Sequence, residues 1–156
     1  MRNELTWNLD QQGGATRVTL TGALTERSNL GKLAGELAAC KEIRFDLGGV
    51  ARINSSGVRE WLELMRALPA TIAMQFENCS TSIVHQINLI RGFTGHAKVC
   101  SIRVPLVCAQ CGREEAMTIA VERGTVPAVP TSRCAKCTRE MELDDLAETY
   151  FAFLLR

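Results

Sequence analysis

Four cysteines stand in two pairs, Cys108-Ala109-Gln110-Cys111 and Cys134-Ala135-Lys136-Cys137. Two residues between thiolates let one tight turn aim both sulfurs at a single ion. Two such turns complete the tetrahedral four-sulfur shell that zinc prefers, with Zn–S distances of about 2.3 Å. Gly112 follows the first pair, where glycine accepts the conformation such turns often need, and Thr138 holds the equivalent place in the second. The intervening segment, 112–133, slightly exceeds the roughly 15–20 residues of the commonest pattern and leaves room for a hairpin. A closed four-cysteine site keeps no open coordination position. The chemistry expected of Cys108, Cys111, Cys134 and Cys137 is therefore structural Zn2+ binding, holding together a module too small for its own core. Disulfides compete poorly in a chain whose start lacks an export signal. Neither pair follows a strand into a helix as a thioredoxin-type redox motif would.

A second stretch, Asn54-Ser55-Ser56-Gly57, also carries chemistry. It joins an alternating apolar run to a helical one, so a serine here can cap the helix. The same place offers backbone N–H groups and the positive end of the helix dipole, which favour a phosphate. Phosphorylation would add about −1.5 to −2 charges, leaving the fold intact while reversing the sign of the surface. No acid, base or nucleophile set surrounds the segment, and neither His85 nor His96 has a serine or cysteine partner that spacing would nominate. No catalytic residue and no enzymatic activity are expected. Arg59 and Glu60 follow on a helix face of the kind that is ordinarily solvated, and the segment Asn54 to Gly57 reads as a partner-binding corner rather than a catalytic site.

The elements that position these residues follow from periodicity. Leu5, Trp7 and Leu9, then Val18 and Leu20, alternate with polar partners across a turn at 11–14 and predict a hairpin, the second strand ending at Gly22. Leu30, Leu33, Ala34, Leu37 and Ala38 predict a helix capped by Thr25 or Ser28. Ile43, Phe45 and Leu47 make a strand, Val58, Trp61, Leu62, Met65 and Leu68 a helix closed by Pro69, and Ile72, Met74 and Phe76 a strand. A helix from about Ser80 to Ile90 and a fifth strand through Cys100, Ile102, Val104 and Leu106 complete the order β-β-α-β-α-β-α-β. That order calls for a mixed α/β sheet with helices packed on it. Past Pro105 come a strand at Met117, Ile119 and Val121, a turn at Arg123-Gly124, a return punctuated by Pro127 and Pro130, and a helical tail behind Asp144 and Asp145. The domains predicted are 1–106 and a small β module with terminal helix, 107–156, joined without a flexible linker.

Composition narrows the class. A 156-residue chain with 46% hydrophobic and 22% charged residues can fold as an ordinary domain plus a small module. A net charge of +1 argues against general nucleic-acid binding and against a polybasic membrane anchor. Within the ribbon segment, Arg113, Arg123, Arg133 and Lys136 barely outnumber Glu114, Glu115 and Glu122, so no nucleic-acid partner is expected. No apolar run reaches the roughly 20 residues that span a bilayer, and the start is polar, so a soluble cytoplasmic protein is expected. Of the seven cysteines, Cys40, Cys79 and Cys100 fall among apolar neighbours and read as buried thiols.

The element order, Gly22 after the second strand, and above all Asp46-Leu47 followed by Ile53-Asn54-Ser55-Ser56-Gly57-Val58 resemble a STAS domain over roughly residues 4–106. That is the fold of bacterial anti-sigma-factor antagonists and of a domain in sulfate transporters. The segment with the four paired cysteines resembles a zinc ribbon. The resemblance implies a phospho-acceptor at Ser56, with Ser55 before it and Gly57 after it, and a partner that is a serine kinase acting as anti-sigma factor. Asn54 stands where the family usually has aspartate; it keeps the size and hydrogen bonding of Asp but not the charge. The resemblance thus implies a regulatory module that binds a kinase-like partner through Asn54, Ser55, Ser56 and Gly57 and the helix face of Arg59 and Glu60 beside them, with phosphorylation of Ser56 as the switch. A second reading keeps the fold and makes the chain an adaptor subunit of a lipid- or anion-transport complex, without phosphorylation.

Overall fold

The alternating runs do become strands, and their polar and apolar faces decide where the helices lie. The structure is a computed structural model that describes residues 4–156. Residues 1–3, part of the polar start behind the expectation of no export signal, lie outside the described residues. β1 (Thr6–Gln12) and β2 (Ala15–Leu24) form the hairpin, with Gly13 at φ +64° in a turn two residues long. They are followed by α1 (Leu30–Leu37), β3 (Glu42–Ile53), α2 (Ser55–Ala67), β4 (Ala73–Glu77), α3 (Thr81–Leu89) and β5 (Lys98–Val99). The five strands lie in the order β1-β2-β3-β4-β5, antiparallel only at β1/β2.

Val18, Leu20, Ile43, Phe45, Leu47, Met74 and Phe76 are buried, as are Leu30, Leu33 and Leu37 of α1 and Ile83, Val84 and Ile87 of α3. The residues between them on the strands stay half-exposed, so the helices cover one face of the sheet and solvent meets the other. Trp61 of α2 is the centre of the core. It meets Phe45, Phe76 and Phe93 with ring centroids 5.6–5.7 Å apart, and its indole N–H donates to the Phe93 carbonyl at 2.8 Å. That bond satisfies the one polar atom such a buried ring carries. On the open face Arg17 of β2 donates to Asp46 of β3 at 2.8 Å and to Glu77 of β4 at 2.6 Å, one guanidinium tying three strands.

Several boundaries differ from expectation. β2 runs on through Gly22 to Leu24, with register shifts against β3 on either side of that glycine. β3 continues past Leu47 to Ile53, because the small Gly48 and Gly49 let the strand pass close to its neighbours. A Cβ on Gly49 would lie 2.8 Å from the Leu20 carbonyl oxygen. The residue before α1 is Asn29, left-handed and without a side-chain cap; Ser28, buried, instead accepts from the Thr25 N–H at 2.8 Å and fixes the turn.

The largest difference concerns the expected fifth strand. β5 is only Lys98–Val99, and the chain then crosses into a second sheet as β6 (Ser101–Val107). β6 is the middle strand between β7 (Glu114–Ala120) and β8 (Glu142–Leu143). Cys79 still bonds to it, accepting from the Arg103 N–H and donating to the Ser101 carbonyl, so β6 leans against the end of β4 while pairing elsewhere. β7 supplies a longer antiparallel partner than β4 could, which decides where the strand goes. The hairpin expected within 112–133 does not form: β7 pairs with β6, which precedes Cys108, so the first cysteine pair sits in the loop of that hairpin, and the segment through Pro127 and Pro130 forms no strand.

The tail is not one helix but a single turn, α4 (Ala147–Tyr150), followed by a 3-10 turn at Ala152–Leu155. It docks on α3 through Asn88, whose amide donates to the Tyr150 carbonyl at 3.0 Å and accepts from the Phe153 N–H at 2.9 Å. His85 meets Asp145 at 2.9 Å, and the Tyr150 hydroxyl donates to the Arg103 carbonyl. Tyr150, Phe151, Phe153 and Leu154 join the core of the first sheet, so the two sheets share one apolar interior. Of the remaining cysteines Cys79 is buried, and burial raises its thiol pKa; Cys40 and Cys100 are only half-buried, contrary to expectation.

Candidate functional site

The corner at the start of α2 is built by one residue on each side of the serines. Asn54 is the N-cap: its backbone is extended and its side-chain oxygen accepts from the Gly57 N–H at 2.7 Å. Its backbone N–H donates to the Leu24 carbonyl at 3.1 Å, and its amide N–H to Glu26 at 3.1 Å. One amide thus caps the helix and holds the β2–α1 turn. An aspartate could do the first but would set a second carboxylate against Glu26. This gives a local reason for Asn at this position. Gly57 lies buried against the Leu24–Thr25 backbone, where a Cβ would come 2.0 Å from the Leu24 oxygen.

Ser55 and Ser56 are therefore the first and second residues of the helix, and neither is its cap. Both are exposed, and neither hydroxyl has a hydrogen-bond partner among the described residues. Arg59 and Glu60 follow one helical turn later on the same side as Ser55 and Ser56, and among the described residues neither forms an ion pair. Five of the six predicted residues, Asn54, Ser55, Ser56, Arg59 and Glu60, share one surface, while Gly57 is buried beneath it. Glu26 is the member that sequence reasoning missed: it is remote in sequence, and nothing in its spacing marks it.

Glu26 is held below the ordinary glutamate range, first by its own backbone N–H and then by the Asn54 amide. A depressed folded pKa contributes stability that is present above the unfolded value and is lost as pH falls through the folded one. Asn54→Ala is expected to raise the Glu26 pKa towards its ordinary value. It should also cost about 1 kcal/mol through the lost cap. NMR titration of the Glu26 carboxyl, with urea unfolding alongside, checks both; an unmoved titration would discount the amide as its partner.

The four paired cysteines also converge. Their sulfurs all lie within 4.8 Å of one another, and Cys111 and Cys134 are 3.6 Å apart, too far for a disulfide. The two knuckles repeat one geometry. In the first, the Cys108 N–H donates to the Arg113 carbonyl and the Gly112 N–H to the Cys108 carbonyl, both at 2.9 Å. In the second, Cys134 pairs with Arg139 and Thr138 with Cys134, both at 2.8 Å. Each knuckle is a hairpin tip, closed by Val107↔Glu114 in one and by the Arg133↔Glu140 bridge in the other. Gly112 takes φ +75° and Thr138 φ +59°, so the threonine accepts a conformation that β-branched residues rarely adopt. The shared geometry requires it there.

Cys108 and Cys134 are buried. The backbone N–H groups of Cys111 and Gln110 bring the Cys108 thiol down to about 7, while Cys137, hydrogen-bonded first to Cys111, is held up to about 12. Sulfurs this close cannot all ionise unless a cation lies among them. Tetrahedral coordination at about 2.3 Å sets sulfurs roughly 3.8 Å apart, comparable with the spacing found. The donor set can hold a metal ion.

Among the described residues no helix is long and apolar enough to cross a membrane. No protein-family model matches the chain, and no curated protein does. Among solved structures, an anti-sigma factor antagonist from Mycobacterium paratuberculosis is similar at 16% identity, over 61% of this chain and 86% of its own, with a TM-score of 0.47. The anti-sigma factor antagonist SpoIIAA in its unphosphorylated form is similar at 17% identity, over 60% and 87%, with a TM-score of 0.45.

Proposed function

We propose that the chain is a non-enzymatic regulatory module that docks a serine-kinase-type protein partner on the corner formed by Asn54, Ser55, Ser56, Gly57, Arg59 and Glu60, and that phosphorylation of Ser56 switches the contact. One observation carries this reading: the capping role that would occupy a serine belongs to Asn54, so the Ser56 hydroxyl stands exposed and unpartnered at the second position of α2. A phosphate there meets the positive end of the helix without disturbing a bond of the fold. With Glu60 one turn away and Glu26 across the corner, it would turn a mixed-charge surface strongly acidic. The STAS resemblance of the motif points to the same serine.

The four-cysteine cluster holds structural zinc in this reading. Thiolates select soft or borderline ions, and zinc accepts the tetrahedral shell without a redox step. Its role is to fix the second sheet, against which the tail packs.

Incubation with ATP and serine kinases from the same genome is expected to add one phosphate, mapped to Ser56 by mass spectrometry and lost in Ser56→Ala. Partner affinity should fall by about tenfold or more in Ser56→Asp, the usual scale for charge placed in a docked surface. If neither variant alters any interaction of the wild-type protein, the switch is wrong.

A further inference from the structure

The chain contains a cleft of about 670 Å³ that the corner at Ser56 does not use. It lies between the loop after α3, strand β5 of the first sheet and the C-terminal tail, and Arg123 from the turn after β7 also lines it. Its volume falls in the range of small-molecule sites, about 300–1,000 Å³. The lining is of two kinds. Ile90, Phe93, Val99 and Leu154 give an apolar floor, with Phe93 and Leu154 buried in the core beneath. Arg91, Lys98, Arg123 and Arg156 stand around it, all exposed.

No carboxylate side chain of the described residues lies within 4.0 Å of any of these four cations. Glu122 lines an adjoining depression that shares Lys98, yet forms no ion pair with it. Two of the four are held in place by main-chain oxygens. The Arg123 Nε donates to the main-chain oxygen of Arg156 at 2.7 Å, and the Arg156 guanidinium donates to the Ile87 carbonyl at 2.7 Å. The second bond fixes a guanidinium without cancelling its charge. His96 adds a ring whose Nε2 donates to the Ile72 carbonyl at 2.7 Å, leaving Nδ1 free. In a chain of net charge +1, four cations around an apolar floor are a local concentration, not a general property of the surface.

We propose that this cleft binds a small soluble organic phosphate, its oxyanion among Arg91, Lys98 and Arg156 and its apolar body over Ile90, Phe93 and Val99. Guanidinium groups match phosphate oxygens in pairs, and a preset arginine loses less freedom on binding. The apolar floor demands more of the ligand than inorganic phosphate can offer. The site stands apart from the reading of Ser56 and survives its failure.

The probe is hexyl phosphate, titrated calorimetrically into the whole chain beside inorganic phosphate and hexanol. Hexyl phosphate is expected to bind at least tenfold more tightly than either, and more weakly as salt rises. Arg91→Ala and Lys98→Ala, both at exposed positions, should each weaken it by about fivefold to tenfold with unchanged thermal unfolding. Arg113→Ala, on the β6–β7 hairpin and paired with Glu115, should leave it unchanged. Equal binding of all three probes, or indifference to Arg91 and Lys98, would overturn the proposal. So would retention on phosphatidic acid vesicles without binding of hexyl phosphate, since the phosphate would then belong to a bilayer.

Discussion

Cys134→Ser is expected to abolish metal binding and to lower the stability of the whole chain, not only of its second sheet. The four sulfurs join the two knuckle hairpins at their tips, and between the hairpins the segment through Pro127 and Pro130 contributes no strand pairing. Structural zinc supplies on the order of 10–16 kcal/mol of apparent binding energy in small zinc modules, most of which appears as folding energy. β6, the middle strand of the second sheet, is bonded to Cys79 beyond the end of β4, and Tyr150, Phe151 and Phe153 share the core of the first sheet. Loosening the ribbon therefore exposes apolar surface of α3. A loss of roughly 4–5 kcal/mol or more is expected, which for a chain this size lowers Tm by about 10 °C or more. Cys100→Ser, half-buried and outside the cluster, should cost far less. Native mass spectrometry of wild-type protein, with and without a chelator, reads the metal, and calorimetry reads Tm. If the untreated chain carries no zinc and chelation leaves Tm unmoved, the cluster is four thiols and no metal site.

Gly57→Ala is the second large effect, and here two principles point in opposite directions. Inside a helix, alanine is favoured over glycine by about 1 kcal/mol. At Gly57, however, the added Cβ would meet the Leu24 oxygen at 2.0 Å, its carbonyl carbon at 2.3 Å and the Thr25 nitrogen at 2.9 Å. All three are backbone atoms of the turn that Asn54 holds, so no flexible side chain can yield. The contact wins. A destabilisation of about 3–5 kcal/mol is expected, by the mechanism of overpacking a rigid site. Gly31→Ala and Gly35→Ala in α1 serve as internal controls. A Cβ at either meets nothing within 4 Å, so each should stabilise by up to about 1 kcal/mol. Urea unfolding of the three variants separates propensity from packing. Should Gly57→Ala behave like the other two, the corner is not held as tightly as its geometry implies.

The corner shows how unevenly a site is written into a sequence. The strand before it and the helix after it follow from local periodicity, and Asn-Ser-Ser-Gly is visibly a helix start. Which residue caps it is not legible there, because Asn, Ser and Thr are all good caps and spacing does not rank them. The choice is made by Leu24 and Glu26, which receive the two N–H groups of Asn54. A contact between residues so far apart leaves no periodic trace. Thr138 shows the reverse. In the sequence it is only a small departure in the second pair, and the congruent hydrogen bonds of the two knuckles explain its strained backbone.

By itself, the sequence determined the alternation of strands and helices in the first sheet, the buried faces of its central strands and the convergence of four cysteines. All of these rest on spacings within a few residues, where backbone geometry fixes which side chains meet. Tertiary structure decided that β6 leaves the first sheet for the second, that the tail breaks into two short turns on Asn88, and that four cations gather around one cleft. Those outcomes depend on which of several compatible partners buries more surface or completes more hydrogen bonds, and that competition exists only once distant segments are brought together.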